Sequence, residues 1–196
     1  MGGLLSRDRR RLDTRIKALL RALPSELSRE IAWSLLESPH RSRREVGYKL
    51  LAKIGVSATQ AADLINRFRG NQDQSALELV AHNSSVLATI DFRYLVDSLA
   101  EPYWKARVIE GLITDNRAAA VQFADTHPMQ FAHAVGRSRD RSLRRVLSTL
   151  AKEHYTDLEF ASMCVWAFGC LGAARELAAL VRLVRKKFSS PIGTTY

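Results

Sequence analysis

The stretch "SPHRSRREVGYKLL", residues 38–51, gathers Arg41, Arg43 and Arg44 at what reads as the start of a helix. A helix N-terminus carries a partial positive charge and outward N–H groups, so cations there are mildly disfavoured and anions are favoured. Guanidinium groups at such a point add donors for phosphate or carboxylate oxygens to those the backbone already offers. The stretch "GRSRDRSLRRVL", residues 136–147, repeats the device, with Arg137, Arg139, Arg141, Arg144 and Arg145 around another predicted helix start. Both signals point to an anion and carry no information about base sequence. A third constellation is Trp104 and Arg107 in "EPYWKARVIEGL", a W-x-x-R pair able to stack on and clamp a sugar-phosphate. On spacing alone, an aromatic packed between repeats and a solvated arginine is the better account.

Other catalytic signatures are missing. The sequence has no G-x-x-x-x-G-K-[ST], no G-x-G-x-x-G, no H-E-x-x-H and no G-x-S-x-G. The five histidines, His40, His82, His127, His133 and His154, are scattered without metal-ligand spacing. His154 with Glu153, Asp157 and Glu159 reads as a polar loop, and Ser84-Ser85 as a helix cap. Trp33 and Trp166 stand in apolar runs and read as core. Cys164 and Cys170 are six apart in one helical stretch, which turns them in different directions and argues against a mutual disulfide. A reducing cytoplasm fits that usage, and neither a metal nor a cofactor is expected. Gly2 and Ser6 match a myristoylation pattern, read here as coincidence. No apolar run reaches 18 residues, so no membrane span is expected.

The elements that must position these residues are helical almost throughout. In "AARELAALVRLVRKKF", Leu177, Leu180, Val181, Val184 and Phe188 form one apolar stripe. Ile16, Val46, Leu77, Val108, Val146 and Leu177 fall in a column at intervals of 30, 31, 31, 38 and 31 residues. Four positions on stand Leu20, Leu50, Ala81, Leu112, Leu150 and Val181, all apolar. Recurrence of a helix pair at a near-fixed period is the mark of an α-solenoid. The expected fold is therefore all-α, a right-handed solenoid of about six HEAT-like antiparallel helix pairs over 1–188, with a disordered tail at 189–196. The long interval contains "THPMQFAHAVG", read as an extra short helix or long connection. Ser42 and Glu45 read as a capping box for a helix running to Ile54 and stopping at Gly55.

The net charge of +10 favours a polyanionic partner, and its distribution sharpens the point. The column helices with their approaches (7–22, 41–54, 73–81, 101–112, 137–152 and 173–188) hold 25 of the 30 cationic residues and 9 of the 20 acids, a balance of +16. The rest of the chain holds 5 and 11, a balance of −6. In a solenoid equivalent helices line one surface, so the cations are expected on one face. Phosphates strung along a duplex match such a face. The expected backbone-binding set is Arg41, Arg43, Arg44, Lys49, Lys105, Arg107, Arg137, Arg141, Arg144, Arg145 and Arg182.

The order of pieces resembles the AlkD-type DNA alkylation-repair glycosylases, a HEAT-like family. "IAWSLLESPHRSRREVGYKLLAKI" is similar to that family's helix–turn–helix segment with Leu-x-x-x-Pro-x-Arg, and "YWKARVIEGL" to its W-x-x-R helix. The resemblance covers roughly residues 25–155. It implies a HEAT-like fold, duplex DNA as ligand and Arg107 at the active-site arginine, with Trp104 beside it. The family's Trp-Asp segment falls near "NQDQSALELVA", which has no tryptophan and only Asp73 and Glu78 as acids. Excision of an alkylated base needs a carboxylate and aromatic walls around a developing cationic sugar. The expectation is thus a monomeric, DNA-backbone-binding protein of glycosylase form, with catalysis through Arg107, Trp104 and Asp73 as one alternative. A scaffold that binds an acidic protein partner is the other.

Overall fold

The computed structural model describes residues 14, 15, 18, 22–83, 86, 87 and 90–189. The expected first column helix (7–22) lies largely outside these residues, and its column members Ile16 and Leu20 wholly so. The Gly2/Ser6 pattern, the Ser84-Ser85 cap and the 190–196 part of the tail lie outside them as well. Among the described residues the chain is all-α, without strands. Its packing divides into two compact units, Met1–Val86 and Leu87–Tyr196.

In the first unit α1 (Ser25–Leu36) packs on α2 (Arg41–Ile54), and α3 (Ala58–Asn71) on α4 (Gln74–His82). The column helices α2 and α4 also touch each other. The apolar spacing dictates this. Ala61, Leu64, Ile65 and Phe68 form the buried stripe of α3, and Tyr48, Leu50 and Leu51 that of α2. Each buried Leu or Phe contributes about 1.5–3 kcal/mol by leaving water. The two helices of the first pair come unusually close at Gly47, where a Cβ would lie 2.7 Å from the carbonyl oxygen of Ala32. Only glycine permits that approach.

The α2 terminus is as expected: Gly55, at φ 87°, donates its N–H to the Leu51 carbonyl at 2.8 Å. Its start is not. The helix begins at Arg41 behind His40, with no side-chain cap, so Ser42 and Glu45 form no capping box. Glu45 instead accepts from Arg41 Nε at 3.2 Å, the i,i+4 neighbour that a helix face brings to it. The capping box of this unit is Ser57 and Gln60, which exchange side-chain and backbone bonds at 3.2 and 3.0 Å.

The second unit holds α5 (Phe92–Ser98), α6 (Pro102–Asp115), α7 (Arg117–Val121), α8 (Pro128–Ser138), a 3₁₀ turn (Arg141–Leu143), α9 (Arg144–Glu153), α10 (Leu158–Leu171) and α11 (Ala174–Phe188). The segment inside the long sequence interval is α8, and it is central. It packs on α6 and on α10, with Phe131, Ala132, Ala134, Val135 and Gly136 buried. Consequently the main partner of α6 is α8 and not α9, the next helix in the column. The small residues of α8 explain its place, because they let two larger helices close over it. The column row itself is sound: Leu50, Ala81, Leu112 and Leu150 are all buried.

The segment 137–152, expected as a column helix with its basic approach, holds the end of one helix and the start of another. Arg137 closes α8, Arg139 sits in the left-handed region at φ 55°, and α9 starts only at Arg144. Arg137 thus stands at a helix C-terminus, where a cation is favoured.

Candidate nucleic-acid interface

Within the first unit Arg44 of α2 turns toward the protein. Arg44 donates through Nη1 to the carbonyls of Ser38 (3.1 Å) and Pro39 (2.9 Å), just past the end of α1. Its Nε lies 3.6 Å from Asp73. Arg67 of α3 donates to the Leu36 carbonyl at 3.1 Å and pairs with Glu37. Arg67 therefore serves an orphan carbonyl at the α1 C-terminus, and Arg44 the carbonyls of the turn that follows it. Asp73 accepts from the Tyr48 hydroxyl at 2.9 Å through one oxygen and caps α4 at Ser75 N (3.2 Å) through the other. Burial, then the bond to the Asp73 carboxylate, pushes the Tyr48 phenol well above its ordinary value. These groups line a cavity of about 560 Å³ that holds Arg41, Arg44 and Arg67 with Glu37, Glu45 and Asp73. Three cations meet three anions there. Arg43 is exposed, and neither it nor Lys49 has an ion pair to a described residue.

The second unit arranges its charges differently. Glu110 accepts from Arg107 and, at 3.0 Å, from Arg137 Nε. Asp140 accepts from Arg117 Nε at 2.8 Å and caps the 3₁₀ turn at Ser142 N, 2.9 Å. Burial opposes ionisation of Asp140, but the hydrogen bonds from Ser142 and Arg117 outweigh it and hold the carboxyl below the ordinary range. Glu176 pairs with Arg144 at 3.1 Å. Arg139, Arg141 and Arg145 are exposed and have no ion pair to any described residue. The Arg141 guanidinium stands by Gly172, where a Cβ would lie 3.6 Å from Nη2. Four guanidiniums (Arg107, Arg117, Arg137 and Arg144) thus share three carboxylates, and three more (Arg139, Arg141 and Arg145) have no ion pair to a described residue.

Beside this cluster stands an aromatic group that the sequence reading assigns to the core. Trp166 of α10 is 42% exposed. Its ring stacks on His133 of α8, with centroids 5.3 Å apart and planes at 18°. It also covers Gly136, where a Cβ would overlap the indole. Burial chiefly, then the charge of Arg137, lowers the His133 pKa, with Glu110 opposing and Arg107 assisting. Apolar runs predict burial for a helix closed on both sides; α10 is covered on one side only, by α8, α9 and α11.

Of the remaining expected site residues, Lys105 is half-buried without an ion pair to a described residue, and Arg182 donates to the Ala178 carbonyl of its own helix at 3.2 Å. Trp104 is half-buried and edge-on to Tyr103 at 5.1 Å. Asp73 belongs to the first unit, Trp104 and Arg107 to the second. The carboxylate beside Arg107 is Glu110, one turn on, which an i,i+3 reading of "RVIE" identifies. Cys164 and Cys170 are both free thiols, and burial pushes that of Cys164 up to about 12. Among the described residues no cluster has the makings of a metal site, and no helix is long and apolar enough to cross a membrane. No protein-family model matches the chain, and comparison with curated proteins and with solved structures finds no match.

Proposed function

We propose that this protein is a HEAT-like helical array that binds nucleic acid, duplex DNA first, through backbone phosphates. The observation that carries the reading is the arginine excess of the second unit, four guanidiniums on three carboxylates and three more with no ion pair to a described residue. Phosphate neutralisation releases counterions, so unpaired and exposed arginines are the groups that gain from it. Arg139, Arg141 and Arg145 fit that role. Arg137 and Arg144, held at one side by Glu110 and Glu176, keep further N–H donors for a second oxygen. The array reading is supported by the α1/α2 and α3/α4 pairs, whose column helices meet, and by α9 meeting α11.

A non-catalytic role within the resemblance to alkylation-repair glycosylases is the better reading. A carboxylate that stabilises a cationic sugar must keep its negative charge free for the substrate. Asp73 already accepts from Tyr48 and Ser75 beside Arg44, and Glu110 serves two arginines. The test is anisotropy of a labelled 20-bp duplex titrated with protein at several salt concentrations. The expected result is binding at low salt that weakens steeply and linearly in log–log form. Absence of binding at low salt defeats the reading. Incubation with methylated duplex, followed by alkaline cleavage at abasic sites, is expected to give no strand breaks.

A further inference from the structure

We propose that the open side of Trp166 is a stacking platform for one unpaired nucleobase, so that an exposed base adds to the affinity that backbone phosphates give. The inference rests on the nucleic-acid reading above and deepens it. The indole stacks on His133 and covers Gly136, yet Trp166 keeps 42% exposure, so part of the ring stays open to solvent. Tryptophan is costly to leave in water, and the stack on α8 fixes the ring's plane before any ligand arrives. Pre-set orientation lowers the entropy lost on binding.

The surroundings select the occupant. Arg137 follows Gly136, the residue the indole covers, and is half-exposed. A flat ring with a guanidinium next to its seat, on an arginine-rich unit, suits a base beside its own phosphate. Every base has a π-face, so such a platform is indifferent to sequence. A protein partner would require the neighbouring arginines to be matched by acids, and the helix offers Leu158 and Val165 as a competing apolar surface. The charge excess favours the nucleotide, and a second copy of this chain is the rival to be tested.

The experiment compares a labelled 12-nucleotide single strand with the same strand carrying abasic sites throughout, so that phosphates are kept and bases removed. The wild-type protein is expected to bind the base-bearing strand about fivefold tighter or more, the contribution of one stacked base. Trp166→Ala is expected to bring both strands to equal affinity, and Trp166→Phe to keep part of the difference. Because Trp166→Ala removes a stacked ring, a second measurement stands apart from its folding. In Trp33→Phe/Trp104→Phe protein, the remaining indole emission is expected to fall on addition of the base-bearing strand and to hold with the abasic one. A preference that persists in Trp166→Ala, or strands that bind equally to wild type, overturns the platform and leaves backbone binding standing. If neither strand binds, the platform is overturned, and the duplex titration above decides backbone binding separately. Sedimentation of wild type as a dimer and of Trp166→Ala as a monomer assigns the surface to a second copy and overturns the proposal.

Discussion

The cavity of the first unit brings three arginines to three carboxylates, whereas the second unit sets four arginines on three carboxylates and leaves Arg139, Arg141 and Arg145 without an ion pair to a described residue. The two stretches look alike in sequence, SRR and SRDRSLRR. Their roles diverge because of what precedes each. Before α2 comes the turn after α1, whose Pro39 and Ser38 carbonyls accept from Arg44 at 2.9 and 3.1 Å. Before α9 comes a left-handed residue, Arg139, that ends α8. Its side chain and those of Arg141 and Arg145 make no hydrogen bond or ion pair to a described residue. An arginine at a helix start is thus a structural clamp or an anion donor according to the backbone it can reach.

The largest expected effect breaks this comparison directly. Replacing Arg139, Arg141 and Arg145 together by Ala removes three charges with no described ion-pair partner. Charge-assisted bonds contribute about 1.5–3 kcal/mol each, so duplex affinity is expected to fall on the order of 100-fold or more at low salt. The slope of log affinity against log salt is expected to shrink by about three. Stability should barely change, since the three are exposed. Anisotropy and a thermal melt on one preparation measure both. Equal loss of affinity from Arg44→Ala would dissolve the distinction between the units.

Arg44→Ala is the converse. It strips two hydrogen bonds from the α1–α2 turn and a neighbour from Asp73, and its side chain is only 28% exposed. A cost of about 1–3 kcal/mol in unfolding free energy is expected, with little change in duplex affinity. Urea denaturation reads the first quantity, anisotropy the second.

Much of the fold could be read from the sequence because it is periodic. The apolar row Leu50, Ala81, Leu112 and Leu150 is buried where the column places it, and Gly55 ends α2. Three things could not. The capping box at Ser42 fails because Glu45 is nearer in energy to Arg41 than to a helix start that His40 already opens. The weight of α8 was hidden because small residues such as Ala132, Ala134 and Gly136 give a weak hydrophobic signal and a strong packing one. Trp166 reads as core because a run of apolar residues does not say which side of a helix goes uncovered. For the site, residue types were legible and pairings were not: that Glu110 serves both Arg107 and Arg137 depends on α6 meeting α8.

Glycine offers a finer test of the same contrast. Gly47→Ala pushes a methyl against the Ala32 carbonyl of a neighbouring helix, which can move only with its backbone. Overpacking of that kind costs about 1–3 kcal/mol, against which alanine's helix propensity offsets up to about 1. A net loss of roughly 1–2 kcal/mol is expected by urea denaturation. Gly136→Ala meets the Trp166 ring first, a part-exposed side chain rather than a backbone. Its stability should stay nearly level while the indole emission shifts to the red as the ring enters water. A loss at Gly136 as large as at Gly47 would mean that the ring is as firmly fixed as a backbone.

The smallest effect concerns His133, and its sign follows from its surroundings. Burial against Trp166 and the charge of Arg137 depress its pKa in the folded protein below the ordinary 6.5, with Arg107 acting in the same direction and Glu110 against it. Near pH 7.5 the imidazole is neutral in both states and nothing is gained or lost. As pH falls below 6.5 the unfolded chain takes up the proton first, so the unfolded state is favoured increasingly until the folded pKa is reached. His133→Gln, which cannot titrate, should remove that part of the acid sensitivity. Melts at pH 7.5 and pH 5.5 are therefore expected to differ more for the wild type than for His133→Gln, by a few degrees of Tm at most. A larger drop in the variant would mean that the protonated ring is stabilised against the indole as a cation, and that the arginines of the second unit repel it less than their proximity implies.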